Sequence, residues 1–199
     1  GAYYRATGTT NLAKGNIFLN NDISNYYYYG LYLYYHDAVQ VVGNEINGSA
    51  TYGLYLYYGD NDCLISKNKI NNAGSYGMYF RLCDATSVKR FEISNNFITG
   101  ALSYGIYDYT PKYHDYYNNS INVNNGSYGL YLYNSSSTYS GHTIFNNNFV
   151  NLGSGYAAYY QSGANLDSAD YNNYYSPSGS FVYWGGAKAD LTAVKTASA

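Results

Sequence analysis

Apolar residues recur along this chain in two short blocks per repeat, and a single asparagine returns between them at near-regular spacing. It stands at Asn21, Asn44, Asn68, Asn96, Asn119, Asn147 and Asn173, at intervals of 23, 24, 28, 23, 28 and 26 residues. Three residues before it come Phe18, Val41, Ile65, Ile93, Tyr116, Ile144 and Asp170. Two residues after it come Ile23, Ile46, Ile70, Ile98, Ile121, Phe149 and Tyr175. Nine or ten residues beyond the asparagine a glycine opens a second block, at Gly30, Gly53, Gly77, Gly105 and Gly129, with Ala157 in the sixth place. Inside that block the residues alternate with the period of two that marks a strand. The inward sets read Leu31, Leu54, Met78, Ile106, Leu130, Ala158 and then Leu33, Leu56, Phe80, Asp108, Leu132, Tyr160.

Each repeat supplies strands of a few residues and has no room for a crossover helix. Successive copies must therefore stack as parallel strands, each burying its apolar row only against its neighbours. Crossovers between parallel strands are right-handed almost without exception. The pattern predicts an all-β chain, a right-handed, single-stranded parallel β-helix (β-solenoid) of about seven coils over residues 16–184. A lead-in is expected over 1–15 and a cap or connector over 185–199, with Asp190 placed to cap a short helix from Leu191 to Ala197. At the ~4.8 Å spacing of adjacent strands, seven coils make a rod roughly 34 Å long. No amphipathic segment precedes the first repeat, so its strand edge is expected to stand open for pairing.

The asparagine column has two physical reasons. Asn tolerates the left-handed backbone of a sharp corner better than other non-glycine residues. Stacked amides can also hydrogen-bond along the rod, so Asn21 through Asn173 are read as a structural ladder.

Composition changes the picture at one point. Tyr supplies 32 of the 199 residues, while charged residues make up 11% and the net charge is −2. That balance gives no electrostatic footprint for nucleic acid. No apolar run approaches the ~18–20 residues that span a bilayer. The tyrosines concentrate on the outward positions of the second block. Tyr32, Tyr55, Tyr79, Tyr107, Tyr131 and Tyr159 form one column; Tyr34, Tyr57, Tyr109 and Tyr133 belong to the next, with Arg81 and Gln161 among them. A contiguous aromatic patch of this size marks an interaction face, beyond the stabilisation that same-face aromatic pairs give a sheet. A third column, Tyr29, Tyr52, Tyr76, Tyr104, Tyr128 and Tyr156, falls at a corner, and both inward and outward placements are open.

The remaining chemistry is sparse. Asp37, Asp60 and Asp84 fall in one column of three coils, an oxygen-rich stack that suits Ca²⁺, although three carboxylates alone do not complete its shell of 6–8 oxygens. Solvated turn tips are the competing reading. Asp22 and Glu45 lie one coil apart beside Lys69, at the spacing of a retaining glycosidase pair, yet nothing in the repeat builds a cleft around them. His36, His114 and His142 give no nucleophile–base spacing. Cys63 and Cys83 bound one coil; a bridge would close a loop of about 20 residues, worth roughly 3 kcal/mol, and two separate small residues are the alternative.

The block Ile-x-Asn-Asn-x-Ile followed by Tyr-Gly-Ile/Leu-Tyr-Leu resembles the right-handed parallel β-helix repeats of large secreted bacterial surface proteins, an architecture shared with pectin-degrading lyases. The tail Asp170-Tyr-Asn-Asn-Tyr-Tyr and Tyr183-Trp184-Gly185-Gly186 is similar to the end of such domains. The resemblance implies an extracellular or cell-surface location and a fold that hosts both enzymes and inert stalks. In the lyases an Arg and Lys cluster faces a calcium-bound acidic sugar; here the only adjacent basic pair, Lys89-Arg90, lies in an insertion. The expectation is a non-catalytic structural module that meets copies of itself, head to tail or side by side, in a filament, sheath or stalk. The alternative is a protein that binds or cleaves cell-surface polysaccharide. No cofactor is expected beyond the candidate calcium.

Overall fold

The structure is a computed structural model describing residues 2–48, 51–134, 136, 138–161, 165–178 and 181–197. Gly1 of the expected lead-in and residues 198 and 199 of the expected connector lie outside the described residues.

The chain winds as a parallel β-solenoid of about seven turns with one short C-terminal helix. Each turn contributes one strand to each of three sheets. The Tyr-rich strands Tyr29–Asp37, Tyr52–Asp60, Tyr76–Arg81, Tyr104–Tyr109, Tyr128–Tyr133 and Tyr156–Tyr160 make the middle of a ten-stranded sheet. A seven-stranded sheet runs from Ile17–Leu19 to Asn165–Asp170, and another from Asp22–Ser24 to Asn173–Tyr175. Coils pair in register, as in Leu31↔Leu54, Tyr32↔Tyr55 and Leu33↔Leu56. Ala187–Lys188 folds back antiparallel on Val182–Trp184, and Gly8 and Asn11 form an isolated antiparallel bridge. Helix Leu191–Ala197 follows, and Ala193 N donates to Asp190 Oδ1 at 2.8 Å, satisfying one of its orphan amides.

The solenoid begins earlier than residue 16. Ala2–Arg5 pairs parallel with Tyr29–Asp37, setting Tyr3 beside Tyr32 and Arg5 beside Tyr34, and Ala13–Lys14 pairs with the far end of the same strand. This segment lacks the Asn and Gly landmarks of the repeat. A sheet edge needs only a run of backbone donors and acceptors to accept it.

Inside, the apolar rows of the three sheets meet. Leu33, Leu56, Phe80 and Leu132 from the tyrosine sheet, Val41, Ile65 and Ile93 from the second, and Ile46, Ile70 and Ile98 from the third are all fully buried. The glycine column permits this. A Cβ on Gly53 would lie 2.6 Å from Gly77 O and 2.6 Å from Ile70 Cγ2, so nothing larger fits where the corner meets the third sheet.

The central ladder asparagines, Asn44, Asn68, Asn96, Asn119 and Asn147, are buried, and each of these amides bonds its neighbours above and below. Asn96 Oδ1 accepts from Asn68 N and Asn68 Nδ2, both at 3.0 Å; Asn96 Nδ2 donates to Ile65 O and Asn119 Oδ1. Two corrections follow. The seventh rung is Asn172, which accepts from Asn147 N and Nδ2, whereas Asn173 pairs outside with Asn148. The flanking inward residues shift with it, to Ala169 and Tyr174 in place of Asp170 and Tyr175, because two adjacent asparagines hide the phase. Nor do the ladder residues adopt the left-handed backbone. The residue before each one does, at Asn20, Gly43, Lys67, Asn95, Asn118, Asn146 and Tyr171.

Removing a central rung should therefore strand several buried groups at once. Asn96→Ala is expected to lower unfolding stability by about 3 kcal/mol or more, and the terminal Asn21→Ala by about 1 kcal/mol, in urea titrations. Equal losses would contradict the ladder as a buried network.

Candidate functional site: the stacked tyrosine face

In-register parallel strands bring identical outward side chains one above another at the strand spacing. The result is a face of stacked phenols. From Tyr3 through Tyr32, Tyr55, Tyr79, Tyr107, Tyr131 and Tyr159 to Tyr183, successive ring centroids lie 4.9, 4.8, 4.8, 4.9, 5.0, 4.9 and 4.2 Å apart. From Tyr32 to Tyr131 the planes are within 20° of parallel; at Tyr159 the ring turns by 69°. The corner tyrosines join this face, with Tyr29, Tyr52, Tyr76 and Tyr104 stacked at 4.9–5.1 Å. In the third column Tyr34 stacks on Tyr57 at 4.7 Å and Tyr109 on Tyr133 at 4.8 Å. Arg81 stands between these pairs, its guanidinium 4.8 Å from the Tyr57 ring and 5.7 Å from Tyr109.

Stacking decides what the face offers. Each ring covers its neighbour, so the columns are half-buried and Tyr55 is buried outright at 6% exposure. Ring edges and hydroxyls meet solvent, while the π-faces are turned along the rod. Partial burial and neighbouring phenols push the Tyr32, Tyr52, Tyr79, Tyr107 and Tyr131 hydroxyls well above the ordinary phenol value. Tyr34 is pushed up to about 12, chiefly by its 2.9 Å bond to the Tyr35 hydroxyl. The phenols of the face are thus neutral at physiological pH, and Arg81 sets a positive charge among them.

The carboxylate column is arranged differently from a metal site. Asp37 and Asp60 pair in register, but Asp37 Oδ1 accepts from Asn61 Nδ2 and Asp60 Oδ1 from Asp84 N. Among the described residues no group of three or more His, Cys, Asp or Glu side chains is gathered as a metal site would require, Asp37, Asp60 and Asp84 included. Cys63 and Cys83 are both buried and free. Their sulfurs donate to different backbone carbonyls, Cys63 to Asp60 O and Cys83 to Leu56 O, and burial pushes both thiols up, Cys63 to about 12. Glu45 accepts from Lys69 at 3.1 Å on an exposed edge, beside Asp22.

The structure also assembles polar clusters that spacing did not reveal. Asp108, fully buried in the inward row, accepts from His114 Nδ1 at 2.6 Å and from the Tyr116 hydroxyl, while His114 Nε2 bonds Cys83 O at 2.9 Å. A carboxylate in an otherwise apolar column was the available signal. Arg90 grips Asp115 with two bonds of 2.7 and 2.6 Å and reaches Gly141 O, Thr143 Oγ1 and Asp167. At the C-terminal end a crevice of about 490 Å³ lies between the last coil and the helix, lined by Asp167, Asp170, Tyr171, Tyr174 and Trp184. No helix among the described residues is long and apolar enough to cross a membrane.

The family profile described as "Periplasmic copper-binding protein (NosD)" matches residues 2–185, and the chain belongs to that family. The match agrees with the right-handed parallel β-helix. No curated protein and no solved structure matches the chain.

Asp60 supplies a pH test. Burial, then the carboxylates of Asp84 and Asp37, raise its folded-state value to about 6, against the proton's release near 4 in an unfolded chain. The native state therefore holds the extra proton in that window, and this group's contribution to stability falls as pH rises from about 4 to about 6. Asp60→Asn keeps an acceptor for Asp84 N and removes the charge. Its melting temperature should exceed wild type at neutral pH, with the difference closing at acid pH; a pH-independent difference would contradict the assignment.

Proposed function

We propose that this chain is a non-catalytic β-helix module of the cell envelope, secreted beyond the cytoplasmic membrane, that meets further copies of itself through its tyrosine face. In that role it is a unit of a filament, sheath or surface stalk. The observation that carries this reading is the in-register stack of phenols, which makes a flat face edged with hydroxyls and carrying the charge of Arg81 in its third column. Tyr combines a large apolar body with a hydroxyl that still finds a partner when buried, the chemistry of a lateral contact. Six-residue strands and seven rungs give a face of roughly 20 Å by 34 Å, or about 700 Å². That approaches the ~800 Å² per partner of a standard protein interface. The location follows the family's description as periplasmic.

Copper, which the same description names, finds no group of three or more His, Cys, Asp or Glu side chains gathered to hold it among the described residues. Both ring nitrogens of His114 are engaged, by Asp108 and Cys83 O; His142 and His36 each use Nδ1, with His114 N and Asn16 Nδ2, and keep a partnerless Nε2 that is buried. The two thiols are buried and held protonated, whereas copper takes thiolates. Two observations support the non-catalytic reading: the Asp108–His114 unit is fully buried, and Glu45 is tied to Lys69 on an open edge.

The polysaccharide reading loses its main support along the face, since sugar rings stack on aromatic faces and these are covered by other rings. It keeps one local observation, the C-terminal crevice where Tyr171, Tyr174 and Trp184 adjoin two carboxylates.

The test uses the third column, where Arg81 already shows that a cation fits. Tyr57→Lys, Tyr109→Lys and Tyr133→Lys together should leave the fold intact by circular dichroism and abolish concentration-dependent association in sedimentation velocity and electron microscopy. A wild-type module that stays monomeric at high concentration, and binds a polysaccharide in the crevice, would overturn the structural reading.

A further inference from the structure

The phenol columns are continuous. Between Tyr3 and Tyr183 no successive pair of centroids is more than 5.0 Å apart, so rings touch from the first strand of the tyrosine sheet to its last parallel strand. Side contacts such as Tyr29–Tyr32 at 4.7 Å and Tyr76–Tyr79 at 5.3 Å join this column to the corner column. The stations are chemically identical, so passing an oxidising equivalent from one to the next is close to thermoneutral. Tunnelling falls exponentially with distance, and rings in contact give the shortest steps a protein offers. A phenolate along the way would be easier to oxidise than its neighbours and would trap the equivalent. The raised values of the central tyrosines keep such traps out of the column.

We propose that the stacked tyrosines conduct oxidising equivalents along the rod by hopping between rings. In each hop a tyrosyl radical takes one electron and one proton from the next phenol, becoming a phenol and leaving a tyrosyl radical there. Nothing is consumed between the ends. A one-electron oxidant of the oxygen-radical class starts the chain by removing one electron and one proton from a terminal tyrosine. A reductant of the ascorbate or thiol class ends it by giving one of each back.

One rung is the bottleneck. In the coil of Tyr76 and Tyr79 the third column carries Arg81, which cannot serve as a station, so passage across this rung runs through those two rings. A single indole, Trp184, stands beside the end of the column in sequence, with its ring 5.6 Å from the inward Tyr160. It sits on the last parallel strand, and its neighbour Tyr183 stacks on Tyr159.

The experiment excites Trp184 with red-edge light that phenols do not absorb, in the presence of a cobalt(III) ammine. The excited indole gives up one electron, irreversibly reducing the cobalt to Co(II), and loses its N–H proton to buffer. The indolyl radical then takes an electron and a proton from a tyrosine. A nitroso spin trap marks where radicals reside, and peptide mass spectrometry locates the adducts. In wild type, adducts should appear on both sides of the bottleneck, out to Tyr32 and Tyr3. In Tyr76→Phe/Tyr79→Phe the stacked geometry is kept but the rung holds no oxidisable hydroxyl, so most of the adduct at Tyr32 and Tyr3 should be lost. Tyr27→Phe, at an exposed ring off the columns, should leave the distribution unchanged. The proposal is overturned if the Phe pair gives the wild-type distribution, if wild-type adducts stay beside Trp184, or if far-end labelling rises with protein concentration.

Discussion

A buried amide left without partners costs on the order of 1–3 kcal/mol for each stranded group, and this molecule buries one in nearly every coil. Asn44, Asn68, Asn96, Asn119 and Asn147 are all at most 3% exposed. Each is satisfied only if the coil above and the coil below return to the same height and the same azimuth. The ladder therefore fixes register. A slip of one residue in any strand would turn apolar side chains outward and break amide bonds on both sides of the slip.

Everything outside the ladder inherits that register. Because Leu54 sits over Leu31, Tyr55 must sit over Tyr32, and what the sequence places at an outward position in each coil becomes a column without further instruction. The same rule concentrates difficulty as well as order. It puts Asp60 beside Asp37, and it holds the Asp108 carboxylate in the core, where His114 and Tyr116 compensate for its burial.

The fold was legible because solenoid contacts are between equivalent positions of successive repeats, so a periodic sequence describes its own contact map. Position within the period was less secure. Asn172 and Asn173 are indistinguishable by residue type, and only the pairing of Tyr174 with Phe149 shows which one faces in. Ala2–Arg5 carries no landmark of the repeat, yet it occupies a sheet edge. Two of the tyrosine columns could be placed from alternation alone, while the corner column from Tyr29 could not, and nor could the consequence of any of them. Whether a column of aromatics presents faces or edges depends on side-chain torsions, and stacking selected edges. Arg90 was visible as half of a basic pair, whereas its partners at 115, 141, 143 and 167 come from three other coils, beyond the reach of local spacing.

That clamp has a mechanical reading. The interstrand hydrogen bonds run along the rod, so tension applied end to end loads each coil's bonds in turn, and the solenoid should pay out coil by coil. Arg90 spans several of these steps at once. It ties its own coil to Asp115 in the next, to Gly141 and Thr143 in the one after, and to Asp167 beyond that. Four coils then yield as a block, and the force needed to extend the rod is uneven along its length: lower over the first three coils, higher over the last four.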